Sequence, residues 1–272
     1  MTYRGRLGNN LSEYCVGRII AEHLGFNLRA APIPGFPNVK SLGVPVGEPI
    51  DPCQRFDGHR IDLARILSDR SPRHIVLSGF FQRYEYFRPY KTVIRDGWLA
   101  GDAAEAAGLD ELTIHVRAGD TWRIGTQRAV HTEYHALPFS FYRSIVRSRR
   151  WSRVTVVTDD PSDPMVRKLA DDTSGEVQSG SVLDDFNVMR ASANLVLSVS
   201  TYAWWAGWLS NARQIFFPVA GIFDEDRVRL KDAAWQQNLW VDDEPRYQAI
   251  RPKGVEGPWT GSEDDRQRLL NS

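Results

Sequence analysis

The sequence predicts an α/β protein with about two domains and a parallel sheet in its second half. The length of 272 residues corresponds to roughly two domains at ~150 residues each. After about residue 110, segments with strand and helix patterns alternate, which indicates right-handed βαβ units. Residues 194–199 are mostly apolar on both faces, as is typical of a central parallel strand.

Five predicted strands and five predicted helices alternate in the second half. The strands are residues 112–117, 154–158, 176–178, 194–199 and 214–217. The helices are residues 139–148, 163–171, 184–192, 202–210 and 226–233. An Ala- and Gly-rich stretch near residue 105 suggests a boundary between domains 1–105 and 106–250, followed by a polar tail, 251–272, whose last dozen residues we expect to be disordered.

Composition excludes several classes of protein. A net charge of zero and a pI near 7 give no electrostatic footprint for nucleic acid. The two cysteines, Cys15 and Cys53, form neither a disulfide framework nor a metal cluster, and they favour a reduced, cytoplasmic setting. No apolar run approaches the ~20 residues of a membrane span, so we expect at most peripheral contact with the inner face of a membrane.

The first half begins with a glycine turn. We predict a short strand over residues 1–4, a tight turn at Gly5, Gly8 and Asn9, and a helix with one apolar stripe from Leu11 onward. Such a turn can bring backbone N–H groups close to an anionic or sugar ligand. A Gly-x-x-Gly pattern alone is weak, and a plain turn is the alternative.

The rest of the first half holds few regular elements. The Pro-rich residues 31–57 predict an irregular loop, and residues 61–67 and 74–78 predict a short helix and a strand. An aromatic segment, residues 79–87, follows. There Gln82, Tyr84 and Tyr86 suit an acceptor sugar, which needs both stacking faces and polar partners. A packed strand-to-helix junction explains the same residues equally well.

Polar clusters follow three of the predicted strands, at residues 115–120, 158–161 and 198–201. Ligands of parallel sheets bind at this edge, the carboxyl ends of the strands. Arg117 can clamp a diphosphate with its planar fork of donors, although a structural pair with Asp120 is the alternative. Asp159 and Asp160 can hold hydroxyl or amine groups, or simply cap the next helix.

Ser200 and Thr201 precede a Trp-rich helix, where unpaired N–H groups and the helix dipole favour a phosphate. An ordinary cap over a core helix is the alternative. Asp185 is suited to the adjacent N–H donors of a guanine edge. The sequence has no Gly-x-x-x-x-Gly-Lys motif, and its single Asp-x-Asp, Asp224-Glu225-Asp226, lies outside the three polar clusters. We therefore expect no metal and no cofactor. An Arg with a helix terminus would have to neutralise a leaving diphosphate.

Five blocks together resemble the α-1,2-fucosyltransferase family and, more distantly, the α-1,6-fucosyltransferases. The blocks, in family order, are GRLGNN (5–10), SGFFQRYEYF (78–87), HVRAGD (115–120), VVTDDPS (156–162) and DFNVMRASANLVLSVSTYAWWAGWL (185–209). The resemblance implies two Rossmann-like domains facing a cleft, the glycosyltransferase B fold. It also implies a GDP-fucose donor, a glycan acceptor, and inversion at the sugar without a metal.

The resemblance also implies roles for single residues. On the donor side it implies that Arg117, Ser200 and Thr201 contact the diphosphate, with Asp185 reading guanine. The other residues assigned to the donor side are Asn9, Gly8, His115, Asp159 and Asp160; Gln82, Tyr84 and Tyr86 fall on the acceptor side. Candidate catalytic groups are Arg117, Asp120, His131 and Glu133, with His135 as a further candidate base.

The sequence departs from the family pattern at Ala118, where the family has a second Arg, at Val199 for Asn, and at Asn10 for Gln. Three hypotheses follow. The first is an inverting transferase that uses GDP-fucose to build a surface glycan. The second is the same fold with another nucleotide-sugar donor. The third is a non-catalytic glycan-binding relative.

Overall fold

The structure is a computed structural model that describes residues 3–43, 53–101, 106–122, 133–254 and 260–272. Its strands are β1 Cys53–Phe56, β2 His74–Leu77, β3 Glu111–Val116, β4 Arg153–Thr158, β5 Glu176–Gln178, β6 Asn194–Val196, β7 Gln214–Pro218 and β8 Tyr247–Ile250. Its α-helices are α1 Leu7–Leu24, α2 Leu63–Ser68, α3 Tyr84–Phe87, α4 Lys91–Val93, α5 Phe139–Val146, α6 Pro164–Thr173, α7 Val182–Ala191, α8 Thr201–Leu209, α9 Glu225–Val228 and α10 Glu263–Leu270.

The contacts between Cα atoms divide the chain into two compact units. The first unit comprises Met1–Asp102 and Glu225–Trp240, and the second comprises Ala103–Asp224 and Val241–Ser272. Two segments are therefore grouped differently from the predicted domains. The segment that holds α9 belongs to the first unit, and the C-terminal residues belong to the second unit rather than forming a separate tail.

Helix α1 is the central element of the first unit. Leu11, Tyr14, Cys15 and Val16 on successive sides of the helix are all fully buried, so the helix is interior rather than amphipathic. It ends at Gly25, whose left-handed conformation (φ 69°) closes the last turn. The predicted helix is thus confirmed and is more deeply buried than its stripe suggested.

The predicted strand–turn–helix at the start is wrong in part. Tyr3 and Arg4 are not in a strand, and the turn is made at Gly5 (φ +76°). Gly8 and Asn9 lie inside the first turns of α1, where the helix geometry fixes their backbone. The predicted glycine loop therefore does not extend to them.

A two-stranded parallel sheet, β1 with β2, is the only sheet in the described part of the first unit. The predicted helix 61–67 and strand 74–78 correspond to α2 and β2. Strand β1 lies inside the segment that was predicted to be irregular. Two of its four residues are exposed, so its sequence does not show the apolar pattern by which a strand is predicted. A full Rossmann-like sheet in the N-terminal half therefore remains part of a proposal.

The second unit contains a six-stranded sheet in the order β5-β4-β3-β6-β7-β8, with every neighbouring pair parallel. The five predicted strands are present. The sixth, β8, was not predicted. The predicted helix 226–233 is shorter, since α9 covers only Glu225–Val228.

Helix α8 carries much of the core of this unit. Trp204, Trp205 and Trp208 are fully buried, and their ring centroids lie 5.2 to 5.6 Å apart. Arg246 donates from Nη2 to the Trp208 carbonyl oxygen (3.0 Å) and from Nη1 to that of Ser210 (2.7 Å). A cation at the C-terminal end of a helix satisfies its open carbonyl groups and its dipole, so Arg246 fixes this end of α8.

The predicted disorder of the C-terminal tail is wrong, because α10 forms there. Its Leu269 and Leu270 are 1% and 8% exposed, and Lys168 donates to the Leu270 carbonyl oxygen. The two adjacent leucines and this hydrogen bond attach the helix to the second unit. Among the described residues, no helix is both long and apolar enough to span a bilayer.

Candidate functional site

The candidate site lies at the carboxyl ends of β3 and β6. These strands are neighbours in register, with Thr113 opposite Leu195 and Ile114 opposite Val196. The chain continues from β3 toward β4 on one side and from β6 toward β7 on the other. Such a reversal of strand order opens a crevice at the carboxyl edge, which is where doubly wound sheets bind their ligands.

A buried hydrogen bond holds the two strand ends together. His115 Nδ1 lies 2.7 Å from Ser198 Oγ, and the two residues are 5% and 3% exposed. Burial, together with the charge of Arg117, lowers the pKa of His115 to about 4, so its imidazole is neutral at pH 7. The donor-side residue His115 therefore ties the strand ends together and carries no charge toward a ligand.

Arg117 follows β3 and reaches the edge of the crevice. Its Nε and Nη2 donate to Asp120 Oδ1 and Oδ2, both at 2.7 Å, and its guanidinium lies 4.3 Å from the Tyr134 ring centroid. Burial acts to lower the pKa of Arg117, but Asp120 outweighs it and the pKa is raised. The side chain is 20% exposed, so a fixed cation faces the edge of the sheet.

Asp159 shapes the loop that carries Arg117. Its Oδ1 accepts from the backbone N–H groups of Ala118 (2.9 Å) and Gly119 (3.0 Å). Asp160 accepts from both the N–H and the hydroxyl of Ser162 (2.9 and 2.6 Å). Both carboxylates, predicted on the donor side, thus have oxygens committed to turns, and Asp159 acts on the site through the loop.

The N-terminus of α8 follows the end of β6, at the same edge of the sheet. The helix begins after Ser200, whose carbonyl oxygen accepts from the Trp204 N–H (2.9 Å). Ser200 occupies the N-cap position, yet its hydroxyl makes no capping bond to the first turn. Ser200 and Thr201 are 4% and 7% exposed, so the positive end of the dipole lies in a largely desolvated setting.

Asp185 lies in the first turn of α7 and is 7% exposed. Its Oδ1 accepts from Gln178 Nε2 (3.1 Å) and from the Gly180 N–H (2.8 Å). Its Oδ2 makes no hydrogen bond to the residues the structure describes. One oxygen thus fixes the carboxylate, and the other is left to accept from a ligand.

Tyr202 links these parts, and sequence reasoning missed it. Its ring lies 5.6 Å from His115 and 5.4 Å from Phe186, and its hydroxyl donates to the Val182 carbonyl oxygen (2.6 Å). Burial, with the nearby charge of Asp185, raises its pKa. The ring therefore connects the start of α8 to β3 and α7. In the sequence, Tyr202 directly follows the predicted phosphate-binding residue Thr201, which could have indicated a role in the site. The three tryptophans after it instead suggested a core residue.

The candidate bases lie at different distances from Arg117. His131 lies outside the described residues. The Glu133 carbonyl oxygen accepts from the Ile222 N–H (3.1 Å), which places its backbone near the end of β7. His135 is 4% exposed and lines a small cavity with Arg117 and Ser198. Asp120 is bonded directly to Arg117, so the structure places both of these candidate bases near the arginine.

The predicted residues of the first unit form a cluster of their own. Gln82 Nε2 donates to Asn9 Oδ1 (2.7 Å), next to Gly8 in α1. Tyr84 and Tyr86 are 3% and 4% exposed, and the Tyr86 hydroxyl both donates to and accepts from the backbone of Ile61 (2.8 Å each). Both rings are therefore mostly buried, as in a packed junction, but Tyr86 also lines an open cavity of about 710 Å³. The assignment of Gln82, Tyr84 and Tyr86 to the acceptor side stays a prediction.

The sequence analysis also did not identify Arg266, which contacts Trp122 at the end of the Arg117 loop. The guanidinium of Arg266, in α10, lies 4.6 Å from the Trp122 ring centroid. Its Nη2 is 3.6 Å from Asp163 Oδ2, and Asp163 caps α6 through the Met165 N–H (2.8 Å). The last helix of the chain therefore holds the residues that follow Arg117, across a sequence separation that no local pattern reveals.

The sheet and its switch point define a doubly wound α/β protein, the architecture typical of nucleotide-binding units. Residues 97–244 match the model of Glycosyl transferase family 11. The match covers more than half of the 272 residues, and the chain belongs to this family, that of the α-1,2-fucosyltransferases. The predicted resemblance is thereby confirmed. A comparison with curated proteins finds no match.

Proposed function

We propose that this member of the family is an inverting fucosyltransferase that transfers fucose from GDP-fucose to a glycan hydroxyl. The observation that carries the proposal is the position of Arg117 and the N-terminus of α8 at neighbouring strand ends, which the His115–Ser198 bond (2.7 Å) holds together. A guanidinium and a helix N-terminus are two of the strongest anion-binding groups in proteins. Together they suit a diphosphate.

In the proposed reaction, an acceptor hydroxyl attacks the anomeric carbon while GDP leaves from the opposite face. Negative charge grows on the departing diphosphate, and fixed donors aimed at that charge lower the barrier most. Arg117 and the first turn of α8, at Ser200 and Thr201, supply those donors. When Arg117 turns from Asp120 to the diphosphate, the carboxylate of Asp120 is released and can accept the hydroxyl proton.

Recognition of the base is assigned to Asp185. A guanine edge presents two adjacent N–H donors, and a single carboxylate oxygen can accept from one of them. The Oδ2 atom is the acceptor that remains after Gln178 and Gly180 have bound Oδ1. The proposal also includes a two-domain glycosyltransferase B architecture with the first unit on the acceptor side, catalysis without a metal, and a cytoplasmic location.

Nucleotide binding tests the proposal most directly. In a thermal-shift panel of GDP, UDP, ADP and CDP, GDP should raise the melting temperature most, because ligands stabilise in proportion to their affinity. Arg117→Ala should weaken GDP binding, measured by calorimetry, by about 10- to 100-fold, the loss of one charge-assisted contact of ~1.5–3 kcal/mol.

Arg147→Ala is the matched control, since Arg147 is an exposed arginine whose only ion pair in the described chain is a 4.0 Å contact with Asp172. It should bind GDP as the unmodified protein does. Equal GDP affinity in the Arg117→Ala variant would contradict the assignment of the diphosphate to this arginine.

Ala118 favours a second candidate function, the same fold with another nucleotide-sugar donor. The resemblance places a second arginine at this position, and here the residue is small and 1% exposed. A larger shift with UDP than with GDP would support this second candidate. If none of the four nucleotides raises the melting temperature, the result favours the third hypothesis, a non-catalytic glycan-binding relative.

A further inference from the structure

A second polar cavity opens at the opposite edge of the same sheet. Its wall includes Asn194, Gln214 and Tyr247, the first residues of β6, β7 and β8. Its volume is about 540 Å³, enough for a group the size of a sugar or a diphosphate. The candidate donor site lies at the carboxyl edge, so this cavity is a separate feature of the second unit.

The wall of the cavity is basic. Three arginines line it, namely Arg149, Arg213 and Arg246, and none of the nine described lining residues is acidic. A concave surface with one sign of charge concentrates ions of the opposite sign. The cavity therefore has the electrostatic character of an anion site, as long as its arginines do not form ion pairs with acidic residues outside the cavity wall.

Arg246 is neutralised in this way. Its Nε lies 2.6 Å from Glu244 Oε2, and its Nη atoms are bound to the end of α8. Its role is therefore to hold the helix. The charge of the cavity is left to the other two arginines.

Arg149 is held in position by neutral groups. Its guanidinium lies 3.9 Å from the Trp151 ring centroid, and its Nη2 donates to Asn194 Oδ1 (2.6 Å). Asn194 is fixed in turn, because its Nδ2 donates to the carbonyl oxygens of Leu109 (3.0 Å) and Glu111 (2.7 Å). A stacked guanidinium bound to an amide keeps its full charge and its remaining N–H donors, so Arg149 is preorganised for an oxyanion.

Arg213 and the two glutamines complete the wall. Arg213 is exposed and forms no ion pair with any residue in the described ranges. Gln214 Nε2 donates to Gln248 Oε1 (2.7 Å), which leaves the amide donors of Gln248 and the oxygen of Gln214 for a ligand. The cavity thus offers two uncompensated guanidinium groups beside hydrogen-bonding amides.

We propose that this cavity is a second ligand site, for a multivalent oxyanion held between Arg149 and Arg213. Paired guanidinium groups bind phosphate and carboxylate oxygens with two N–H donors each, and the neighbouring amides suit the hydroxyl groups of a sugar. Two sources share this chemistry: a free phosphoanhydride and a carboxylate-bearing glycan. The inference does not depend on the identity of the donor nucleotide.

Calorimetry on the full chain tests the site, with inorganic pyrophosphate and a tri-galacturonate oligosaccharide as probes. The double variant Arg149→Gln/Arg213→Gln should weaken binding of at least one probe about tenfold or more, the loss expected for one charge-assisted hydrogen bond. Arg150→Gln is the matched control, because Arg150 is exposed and adjacent in sequence but does not line the cavity. It should leave the affinity unchanged.

A third variant separates this site from the donor site. Arg117→Gln removes the arginine of the donor site and should retain the binding that Arg149→Gln/Arg213→Gln loses. Selective loss of tri-galacturonate binding identifies an acidic glycan as the source, and selective loss of pyrophosphate binding identifies a free phosphoanhydride. The proposal is overturned if neither probe binds, or if the double variant, folded by circular dichroism, binds both as well as the Arg150→Gln control.

Discussion

The ion pair of Arg117 with Asp120 predicts that Asp120 competes with a bound diphosphate for the same guanidinium. Both oxygens of Asp120 accept from Arg117 at 2.7 Å, so a diphosphate that uses the same Nε and Nη2 donors must first displace this carboxylate. Asp120→Asn keeps the size and one acceptor oxygen of the side chain but removes its charge. The variant should therefore bind GDP more tightly than the unmodified protein.

The gain in affinity follows from the exposure of the pair. The side chains of Arg117 and Asp120 are 20% and 34% exposed, so water screens part of their attraction. For such a pair with two parallel hydrogen bonds, the coupling is about 0.5–1.4 kcal/mol. Removing the competition should thus tighten GDP binding about two- to tenfold.

Calorimetry with GDP measures this change, with Asp171→Asn, an exposed carboxylate on α6, as the control variant. A transfer assay on the same protein adds a second readout. If Asp120 accepts the proton of the acceptor hydroxyl, Asp120→Asn should lower turnover even though GDP binds more tightly. Equal or weaker GDP binding, with an unchanged melting temperature, would refute the exchange of partners at Arg117.

Two further predictions concern single carboxylates. Asp185→Asn should lower the preference for GDP over ADP, measured as the ratio of their dissociation constants, because an amide in place of Oδ2 would present N–H donors to the donors of guanine; an unchanged ratio would remove Asp185 from base recognition. Burial raises the pKa of Glu13 to about 8, against the lowering effect of the Arg4 N–H, so folding favours the protonated form and stability is lost as pH rises from about 4.5 toward 8. Relative to Glu13→Gln, the protein should lose up to about 1.4 kcal/mol of unfolding free energy per pH unit in that range. Urea titrations of both proteins at pH 6 and pH 8 measure this loss. The prediction is contradicted if the difference in unfolding free energy between the two proteins is the same at both pH values.

The second unit could be predicted well because its strands are buried. Strands β3, β4 and β7 (ELTIHV, RVTVVT and QIFFP) are mostly buried and rich in β-branched and apolar residues, and burial in a parallel sheet leaves that pattern in the sequence. Strand β8, with the sequence YQAI and two exposed residues, lies at the sheet edge and leaves almost none. The same weakness hid β1 in the first unit.

The candidate site could be predicted only in part. Arg117 and Ser200 were identifiable because each follows a predicted strand, and parallel strands bring their carboxyl ends to one edge. The internal partners were not identifiable. Asp159 binds backbone N–H groups about 40 residues away in sequence, and Tyr86 is held by Ile61. Such pairings depend on tertiary geometry, which residue type and spacing do not contain.

Because Ala118 stands where the family has a second arginine, the Arg117–Asp120 pair has a larger effect on the electrostatic field at the proposed diphosphate site. Its N–H is bound to Asp159 and the residue is 1% exposed, so within residues 115–122, the described part of the loop, Arg117 is the single arginine or lysine. The dipole of α8 adds only about half a charge, and Asp120 cancels much of the charge on Arg117 while the two are paired. Under the proposed function, displacement of Asp120 therefore strengthens a weakly positive field at the diphosphate, whereas a second arginine would keep that field strongly positive in either state. We therefore expect the charge of Asp120 to oppose donor binding in this chain, as the tighter GDP binding predicted for Asp120→Asn would show.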